Sequence, residues 1–435
     1  MEVDLADKFR ESAIAREAQA IIGDCVQCGL CVPSCPTHRL LGDDWDSPRG
    51  RINLFRELLE DKPPSADLRL HIDRCLTCRA CEAVCPEHVR YGRLLDITRE
   101  LFEPVSGRSL KDRLLRRAVR AVVPHRQRFA ALLALGRAAR RLIPARLHAR
   151  VPLLSRVPDP RPAGPWPAAS RHTRTMLVWE GCVQPALAPD INAATARVLD
   201  RCGIRLLPAG AGCCGAMSHH MAAPAEARKL MRRNIDACWP RIEAGVEAIV
   251  ITASGCAAHL RDYADLLHDD PDYADKARRF AALTKDIAEV VTAELDAGRL
   301  PAIPPRPRSP DRRVAWQAPC SLQHAQKLKG VVDRLLKYAG YTPTPIAYPF
   351  LCCGAAGSYS ILQADMARDL RAAKLETIMA TRPKMIVTAN IGCLHHLAEA
   401  ATIPVRHWID LLDDALAETE RQAASSPTPT PSRQG

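Results

Sequence analysis

Two twelve-residue runs of cysteine place the strongest constraint on this chain. Each run has the spacing C-x2-C-x2-C-x3-C-P, and the runs occupy residues 25–36 and 75–86. This spacing binds [4Fe–4S] clusters, and where it occurs twice the fourth cysteine of one run ligates the cluster of the other. The sequence therefore predicts two clusters with crossed ligands: Cys25, Cys28, Cys31 and Cys85 for the first, and Cys75, Cys78, Cys81 and Cys35 for the second.

A structural zinc site is the alternative, because Cys-x2-Cys pairs also build tetrahedral zinc centres. Such a site uses two pairs, whereas each run here carries a third cysteine at the same step and a proline after the fourth. The doubled pattern favours iron–sulfur clusters, and a non-redox zinc scaffold stays open as the competing interpretation.

The 18 cysteines of the 435-residue chain are grouped, and the acidic, amphipathic start Met1–Asp7 has no apolar signal-peptide core. Grouped cysteines without such a signal indicate metal ligands in a reducing compartment. No run of 18 apolar residues occurs, so we expect that no segment spans a bilayer. We also expect the chain to be located in the cytoplasm.

The formal net charge of +12 comes from one segment, residues 108–150, which holds 13 Arg or Lys and a single acid, Asp112. Because the rest of the chain is close to neutral and aromatic residues make up 4% of it, a nucleic-acid partner is not expected. The segment predicts basic amphipathic helices over about 110–122 and 129–143, which either lie on an anionic membrane surface or pack against protein.

The positions of helices and prolines divide the first part of the chain. Helical periodicity on either side of the cysteine runs predicts an α-helical two-cluster ferredoxin domain over residues 1–105. The basic helices and a Pro-rich linker follow over residues 106–170.

From residue 171 the chain repeats itself. A short apolar strand ending in Cys, a Cys-Cys-Gly turn and a second strand delivering a Cys recur at offsets of 138, 139 and 137 residues. Strand–helix alternation predicts a parallel, helix-covered sheet in each copy. The expected fold class is thus α+β multidomain: the ferredoxin domain is followed by two α/β cysteine-rich domains over residues 171–300 and 311–420, and a disordered polar tail over residues 421–435.

The repeated cysteines follow the carboxyl ends of strands, where open α/β sheets place their ligands. They are candidates for holding one or two further clusters: Cys182, Cys213, Cys214 and Cys256 in the first copy, and Cys320, Cys352, Cys353 and Cys393 in the second. The alternative is a set of buried free thiols, which is also the interpretation of the unrepeated Cys202 and Cys238.

The order of these motifs resembles an iron–sulfur subunit family that includes subunits of glycolate oxidase, anaerobic glycerol-3-phosphate dehydrogenase and heterodisulfide reductase. The resemblance covers residues 20–418. The segments most similar to the glycolate oxidase type are 47–52 (SPRGRI), 179–182 (WEGC), 212–216 (GCCGA) and 254–256 (SGC).

The chain departs from this family at the end of each repeat. The family's repeat ends Cys-x-x-Cys and uses five thiolates for a non-cubane cluster, whereas here the last Cys is replaced by His259 and His396. Each histidine is either a replacement ligand, since imidazole suits iron, or part of a helix without a ligand role.

The resemblance implies that this chain is an electron-transfer subunit. In that view a partner flavoprotein carrying FAD oxidises glycolate to glyoxylate, and the clusters pass electrons to a quinone-type acceptor at the inner face of the cell membrane. Subunits acting with glycerol-3-phosphate or lactate dehydrogenases are the alternatives. His219 and His220, after Cys213-Cys214-Gly, are candidates for lining a quinone or subunit interface.

Overall fold

The computed structural model describes residues 1–142, 161–168, 171–305 and 309–425. Part of the predicted Pro-rich linker and residues 426–435 of the predicted tail lie outside these ranges. The described part contains a helical N-terminal domain, two basic helices and two small parallel sheets. This arrangement confirms the predicted fold class.

The N-terminal domain is built from short helices that end at the cysteine runs. Its α-helices are Asp7–Arg10, Ala13–Gly23, Pro36–Leu41, Pro48–Leu59, Leu68–Asp73 and Tyr91–Phe102, with 3-10 turns at Asp44–Asp46, Glu82–Val84 and Glu103–Val105. The longer helices bury one apolar face each, and Ile22, Leu54, Phe55 and Leu94 are fully inaccessible to solvent. Packing of these faces fixes where the loops between them lie.

Two basic helices follow, at Leu110–Val122 and Arg126–Leu142. The Ser109 side chain caps the first by accepting a hydrogen bond from the backbone N–H of Asp112. The second begins three residues before the predicted start at residue 129. Periodicity missed this turn because residues 126–128 are polar and add nothing to an apolar face.

Each cysteine-rich repeat contains a four-stranded parallel sheet. The first has β1 Arg174–Trp179, β2 Ile204–Pro208, β3 Ile249–Ile251 and β4 Thr284–Asp286, in the order β2-β1-β3-β4. The second has β5 Arg313–Trp316, β6 Thr342–Pro343, β7 Met385–Thr388 and β8 Val405–His407, in the order β6-β5-β7-β8. The two sheets therefore have the same topology.

Helices cover both sheets. In the first repeat they are Gln184–Leu187, Asp190–Arg201, Ala216–His220, Pro224–Glu243, Ser254–Arg261, Tyr263–Leu266, Ala274–Leu283 and Ile287–Asp296. In the second they are the 3-10 turn Pro310–Arg312, the π-helix Ser321–Ala325 and the α-helices Val331–Tyr338, Tyr359–Leu362, Ala364–Met379, Ile391–Ala398 and Trp408–Ser425.

The two repeats share one hydrophobic core. Helix Asp190–Arg201 of the first packs against helix Trp408–Ser425 of the second, and fully buried Trp408 belongs to a cluster with residues of both sheets. Ion pairs from Arg197 and Arg201 to Asp413, at 2.7 and 2.8 Å, lie at the edge of this contact. The repeats are thus joined into one body.

The last helix is longer than the sequence indicated. It continues to Ser425, so residues 421–425 are helical where a disordered tail was predicted to begin at residue 421. The polar composition of this turn suggested disorder, but an ion pair between Arg201 and Glu420, at 2.7 Å, ties the preceding turn to the first repeat. Local composition does not reveal that distant partner.

Candidate iron–sulfur centres

The two cysteine runs surround two neighbouring cavities. The first is lined by Cys25, Cys28 and Cys31 of the first run and by Cys81 and Cys85 of the second. The second is lined by Cys75, Cys78 and Cys81 together with Cys35 of the first run. The fourth cysteine of each run therefore faces the cavity that the other run encloses.

Equivalent backbone turns shape both loops. Gln27 and Gly29 in the first run, and Thr77 and Arg79 in the second, have φ between 54° and 79°. This left-handed conformation is uncommon for residues other than glycine. Its recurrence at two matched positions shows that the loops adopt one conformation, which directs successive cysteines toward a common centre.

The separation of the sulfur atoms discriminates against a single metal ion. In a tetrahedral zinc site with Zn–S bonds of about 2.3 Å, the sulfurs lie about 3.8 Å apart. Among the described residues, no three cysteines have sulfur atoms that all lie within 4.8 Å of one another. The ligands of a multi-iron cluster bind different irons and need not approach one another so closely.

The electrostatics of the cavities also fit a metal cluster. Burial raises the pKa of the Cys31 thiol to about 11 and that of the Cys81 thiol well above its ordinary value. Without a cation these thiols stay protonated at neutral pH, whereas coordination to a metal deprotonates a thiol outright. The thiols around each cavity are therefore a suitable donor set for iron.

Four cysteines come together in each repeat. In the first copy the thiols of Cys182, Cys213, Cys214 and Cys256 lie close enough to one another to interact electrostatically. The same holds for Cys320, Cys352, Cys353 and Cys393 in the second copy, where Cys320 Sγ lies 4.0 Å from Cys352 Sγ and Cys353 Sγ lies 3.1 Å from Cys393 Sγ. Cys202 and Cys238 lie apart from these sets, buried among apolar side chains.

The glycine after each Cys-Cys pair is required by its backbone. Gly215 and Gly354 have φ of 93° and 91°, and their N–H groups donate to Cys213 Sγ and Cys352 Sγ at 3.5 and 3.4 Å. A Cβ on Gly354 would lie 2.6 Å from the carbonyl oxygen of Ala367. Glycine therefore permits both the turn and the close approach of the next helix.

The histidines that replace the family's last cysteine lie behind the Cys-Cys turns. His396 Nε2 donates to the carbonyl oxygen of Ala367 at 3.0 Å and so holds a helix. His259 packs among the rings of His219, His220 and Tyr263, and its Nε2 has no hydrogen-bond partner among the described residues. Burial lowers the pKa of both His259 and His396, which keeps both rings neutral.

His219 and His220 lie inside the chain, at the contact between the N-terminal domain and the first repeat. His219 Nε2 is 3.0 Å from Asp96 Oδ2. Burial lowers the pKa of His220 to about 3. At the same contact Arg79 pairs with Asp262 at 2.5 Å. Sequence reasoning gave no signal for these ion pairs, because their partners are far apart in the chain.

The second cavity lies against the second repeat. Leu76 and Cys78 pack in one cluster with Cys320, Cys352 and Tyr359. Cys78 is close enough to Cys320 for their charges to interact. The thiol set of the second repeat is therefore a direct neighbour of the second cavity.

Exposed leucines lie on the first basic helix. Leu110, Leu114 and Leu115 are 65%, 57% and 41% exposed. Its buried contacts are partly ionic: Arg116 pairs with Asp73 at 3.1 Å. The helix thus packs on the N-terminal domain with part of its basic face and leaves apolar side chains in solvent. None of the described helices is long and apolar enough to cross a membrane.

Comparison with known proteins agrees with this division of the chain. Residues 21–89 match the family described as a 4Fe-4S dicluster domain, and residues 176–261 and 314–398 match the family described as a cysteine-rich domain. The matches cover the two cysteine runs and both repeats. Together with the two cavities, they support two [4Fe–4S] clusters in the N-terminal domain.

Three relatives illustrate the similarity. The glycolate oxidase iron–sulfur subunit of Escherichia coli (strain K12) is 45% identical over 417 residues, which is 96% of this chain and 99% of that protein. A probable glycolate oxidase iron–sulfur subunit of Bacillus subtilis (strain 168) is 31% identical, over 85% of this chain and 87% of that protein. Lactate utilization protein A of Exiguobacterium sp. (strain ATCC BAA-1283 / AT1b) is 23% identical, over 54% of this chain and 96% of that protein. The chain belongs to the glycolate oxidase iron–sulfur subunit family, a family of oxidoreductase subunits.

Proposed function

We propose that this chain carries electrons, one at a time, from a flavoprotein that oxidises glycolate toward a quinone-type acceptor at the membrane. The observation that supports this most is the row of sites in which the first cavity adjoins the second through Cys81 and the second lies against the thiol set of the second repeat. Oxidation of glycolate to glyoxylate releases two electrons and two protons, which a flavin accepts as a pair. Iron–sulfur clusters then accept electrons singly, so the chain serves as the conductor and its partner as the catalyst.

The ligand assignment that we propose is crossed between the runs. Cys25, Cys28, Cys31 and Cys85 hold the first cluster, and Cys35, Cys75, Cys78 and Cys81 hold the second. Cys81 lines both cavities, but Cys85 lines only the first and Cys35 only the second. That arrangement of the fourth cysteines supports the crossed assignment. We also propose the domain limits 1–105, 106–170, 171–300 and 311–420, which follow from the cysteine runs and the repeats.

Each repeat, in this proposal, holds a further cluster on its four thiols. We expect the anaerobically purified chain to contain more than the eight iron atoms that two [4Fe–4S] clusters require. Replacing Cys352 by alanine should lower the iron content, whereas replacing buried Cys202, which lies outside both sets, should not. A content of eight iron atoms that is unchanged in the Cys352 variant would leave the repeats without clusters.

The first basic helix provides a surface for the inner face of the membrane. Leu110 and Leu114 are exposed on it, and the exposed Lys111, Arg113 and Arg117 lie beside them. Apolar side chains flanked by cations suit an anionic bilayer, where each Lys or Arg contributes about 1 kcal/mol. In this proposal the chain is a peripheral protein on the cytoplasmic side of the membrane.

Replacing Leu114 by glutamate should weaken binding to vesicles that contain anionic lipid by about tenfold or more, because a leucine buried in the interface contributes roughly 1.5–3 kcal/mol. Co-sedimentation at two salt concentrations measures this. Ile361→Glu, at a residue that is 43% exposed in the second repeat, is the matched control. If Leu114→Glu, Ile361→Glu and the unaltered chain all sediment equally with the vesicles, the exposed leucines do not bind the membrane. They would then be assigned to contact with a protein partner.

The substrate is recognised by the partner, so the native complex identifies it. The complex is isolated through a tag on this chain, and bleaching of its flavin is followed after anaerobic addition of glycolate, lactate or glycerol 3-phosphate. We expect glycolate to bleach the flavin fastest. Faster bleaching by either of the other two would replace glycolate in the proposal and keep the electron-transfer role.

A further inference from the structure

Arg51 is a buried cation next to the second cavity. It is 1% exposed and lines that cavity with Cys35 and Cys75. Its Nη1 lies 3.8 Å from Cys35 Sγ, and its Nε donates to the carbonyl oxygen of His71 at 2.7 Å. A guanidinium in this place directs an N–H group and a full charge toward a sulfur that binds the second cluster.

The charges around Arg51 do not cancel. Asp46 Oδ1 accepts from Arg51 Nη2 at 2.9 Å and lies 3.0 Å from His71 Nδ1, while Asp46 Oδ2 accepts from Arg74 Nη1 at 2.7 Å. Two guanidinium groups therefore share one carboxylate, which leaves at least one net positive charge. Asp43, Asp46 and His71 have ligand atoms within 4.8 Å of one another, but both Asp46 oxygens already face cations, so we assign no metal ion there.

Reduction adds one negative charge to a [4Fe–4S] cluster. Burial disfavours that charge and lowers the reduction potential, whereas a nearby cation or an N–H···S hydrogen bond raises it. The second cavity is the more enclosed of the two, since Cys35, Cys75 and Cys81 are buried while Cys28 of the first is exposed. Without a compensating charge, an electron would be less stable on the second cluster.

We propose that Arg51 raises the reduction potential of the second cluster, so that this buried centre accepts electrons from the exposed first cluster. The inference rests on the ligand assignment given under Proposed function. Arg51 does not bind the cluster itself but influences it through Cys35 and through its own charge. It is therefore a positioning residue. Asp46 is shared with Arg74 and cannot neutralise both guanidinium groups. Arg51 therefore contributes a net positive charge beside the cluster in addition to stabilising the fold.

Arg49 provides a matched control on the same helix. It lies two residues from Arg51 but is exposed and lines the first cavity only. Solvent screens an exposed charge far more than a buried one. Replacing Arg49 should therefore leave the potential of the second cluster unchanged.

The test is a redox titration of the full chain followed by EPR, with the variants Arg51→Gln, Arg51→Lys, Asp46→Asn and Arg49→Gln. A water-soluble lanthanide chelate assigns the signals, since it relaxes the exposed first cluster more strongly. We expect the second cluster to shift to a more negative potential in Arg51→Gln, to stay near its original potential in Arg51→Lys, and to shift to a more positive potential in Asp46→Asn. The first cluster should not shift in the variants of Arg51 and Asp46.

Opposite shifts in the Arg51→Gln and Asp46→Asn variants distinguish a charge effect from loosened packing, which would move both in one direction. If Arg51→Gln fails to retain iron, the sign of the Asp46→Asn shift decides. The inference would be overturned if the second cluster had the same potential in all variants. It would also be overturned if Arg51→Gln and Asp46→Asn shifted that potential in the same direction. Absence of iron from the unaltered chain would instead refute the proposed function.

Discussion

Replacing Cys35 by alanine is expected to abolish or damage the second cluster and to leave the first intact. The reason is that Cys35, although part of the first run, lines the cavity enclosed by Cys75 and Cys78. Alanine provides no ligand atom, so up to four iron atoms should be lost, and one EPR signal of the reduced protein should vanish or change. The signal that persists should belong to the cluster beside exposed Cys28, which a water-soluble lanthanide chelate relaxes more strongly.

The mirror variant and a neutral one complete this experiment. Cys85→Ala should damage the first cluster and spare the second, because Cys85 lines only the first cavity. Cys238→Ala, at a buried thiol among apolar side chains of the first repeat, should retain all the iron. Selective loss of the first cluster in Cys35→Ala would refute the crossed assignment.

Replacing Trp408 by alanine should have the largest effect on stability. Trp408 is fully buried in the core that both repeats share, and substitution of a buried aromatic by alanine costs about 3–5 kcal/mol. Because this core joins the two sheets, the variant should unfold both repeats at a lower urea concentration than the unaltered chain. Circular dichroism during urea titration measures the midpoint.

Trp166→Ala is the matched control, since Trp166 is 41% exposed. Its free energy of unfolding should stay within about 0.5 kcal/mol of the original. If Trp408→Ala and Trp166→Ala unfold alike, or if only the second repeat unfolds early, the repeats do not depend on a shared core.

The sequence predicted what depends on local spacing. The Cys-x2-Cys-x2-Cys steps and the matched offsets of the repeats identified every cysteine that the structure brings to the four thiol sites. Thr77 and Arg79 adopt left-handed conformations that their residue types do not indicate, so the shared loop shape could be seen only in the structure.

Features that depend on distant partners were not predictable. Arg51 seemed part of an ordinary helix, and its role follows from meeting Asp46, His71 and Cys35 in space. The shared core around Trp408 and the helix that continues to Ser425 also require contacts between elements more than 200 residues apart. Periodicity within one element contains no information about such contacts.

In the proposed function, electrons released from glycolate pass through the clusters of this chain. The most direct measurement mixes the anaerobic, oxidised complex with glycolate, freezes samples during the first turnover and records EPR spectra. We expect signals of reduced [4Fe–4S] clusters in the first turnover, and we expect their loss when both Cys28 and Cys78 are replaced by alanine. Bleaching of the partner's flavin while the clusters stay oxidised, with unchanged electron delivery to an added quinone, would contradict it.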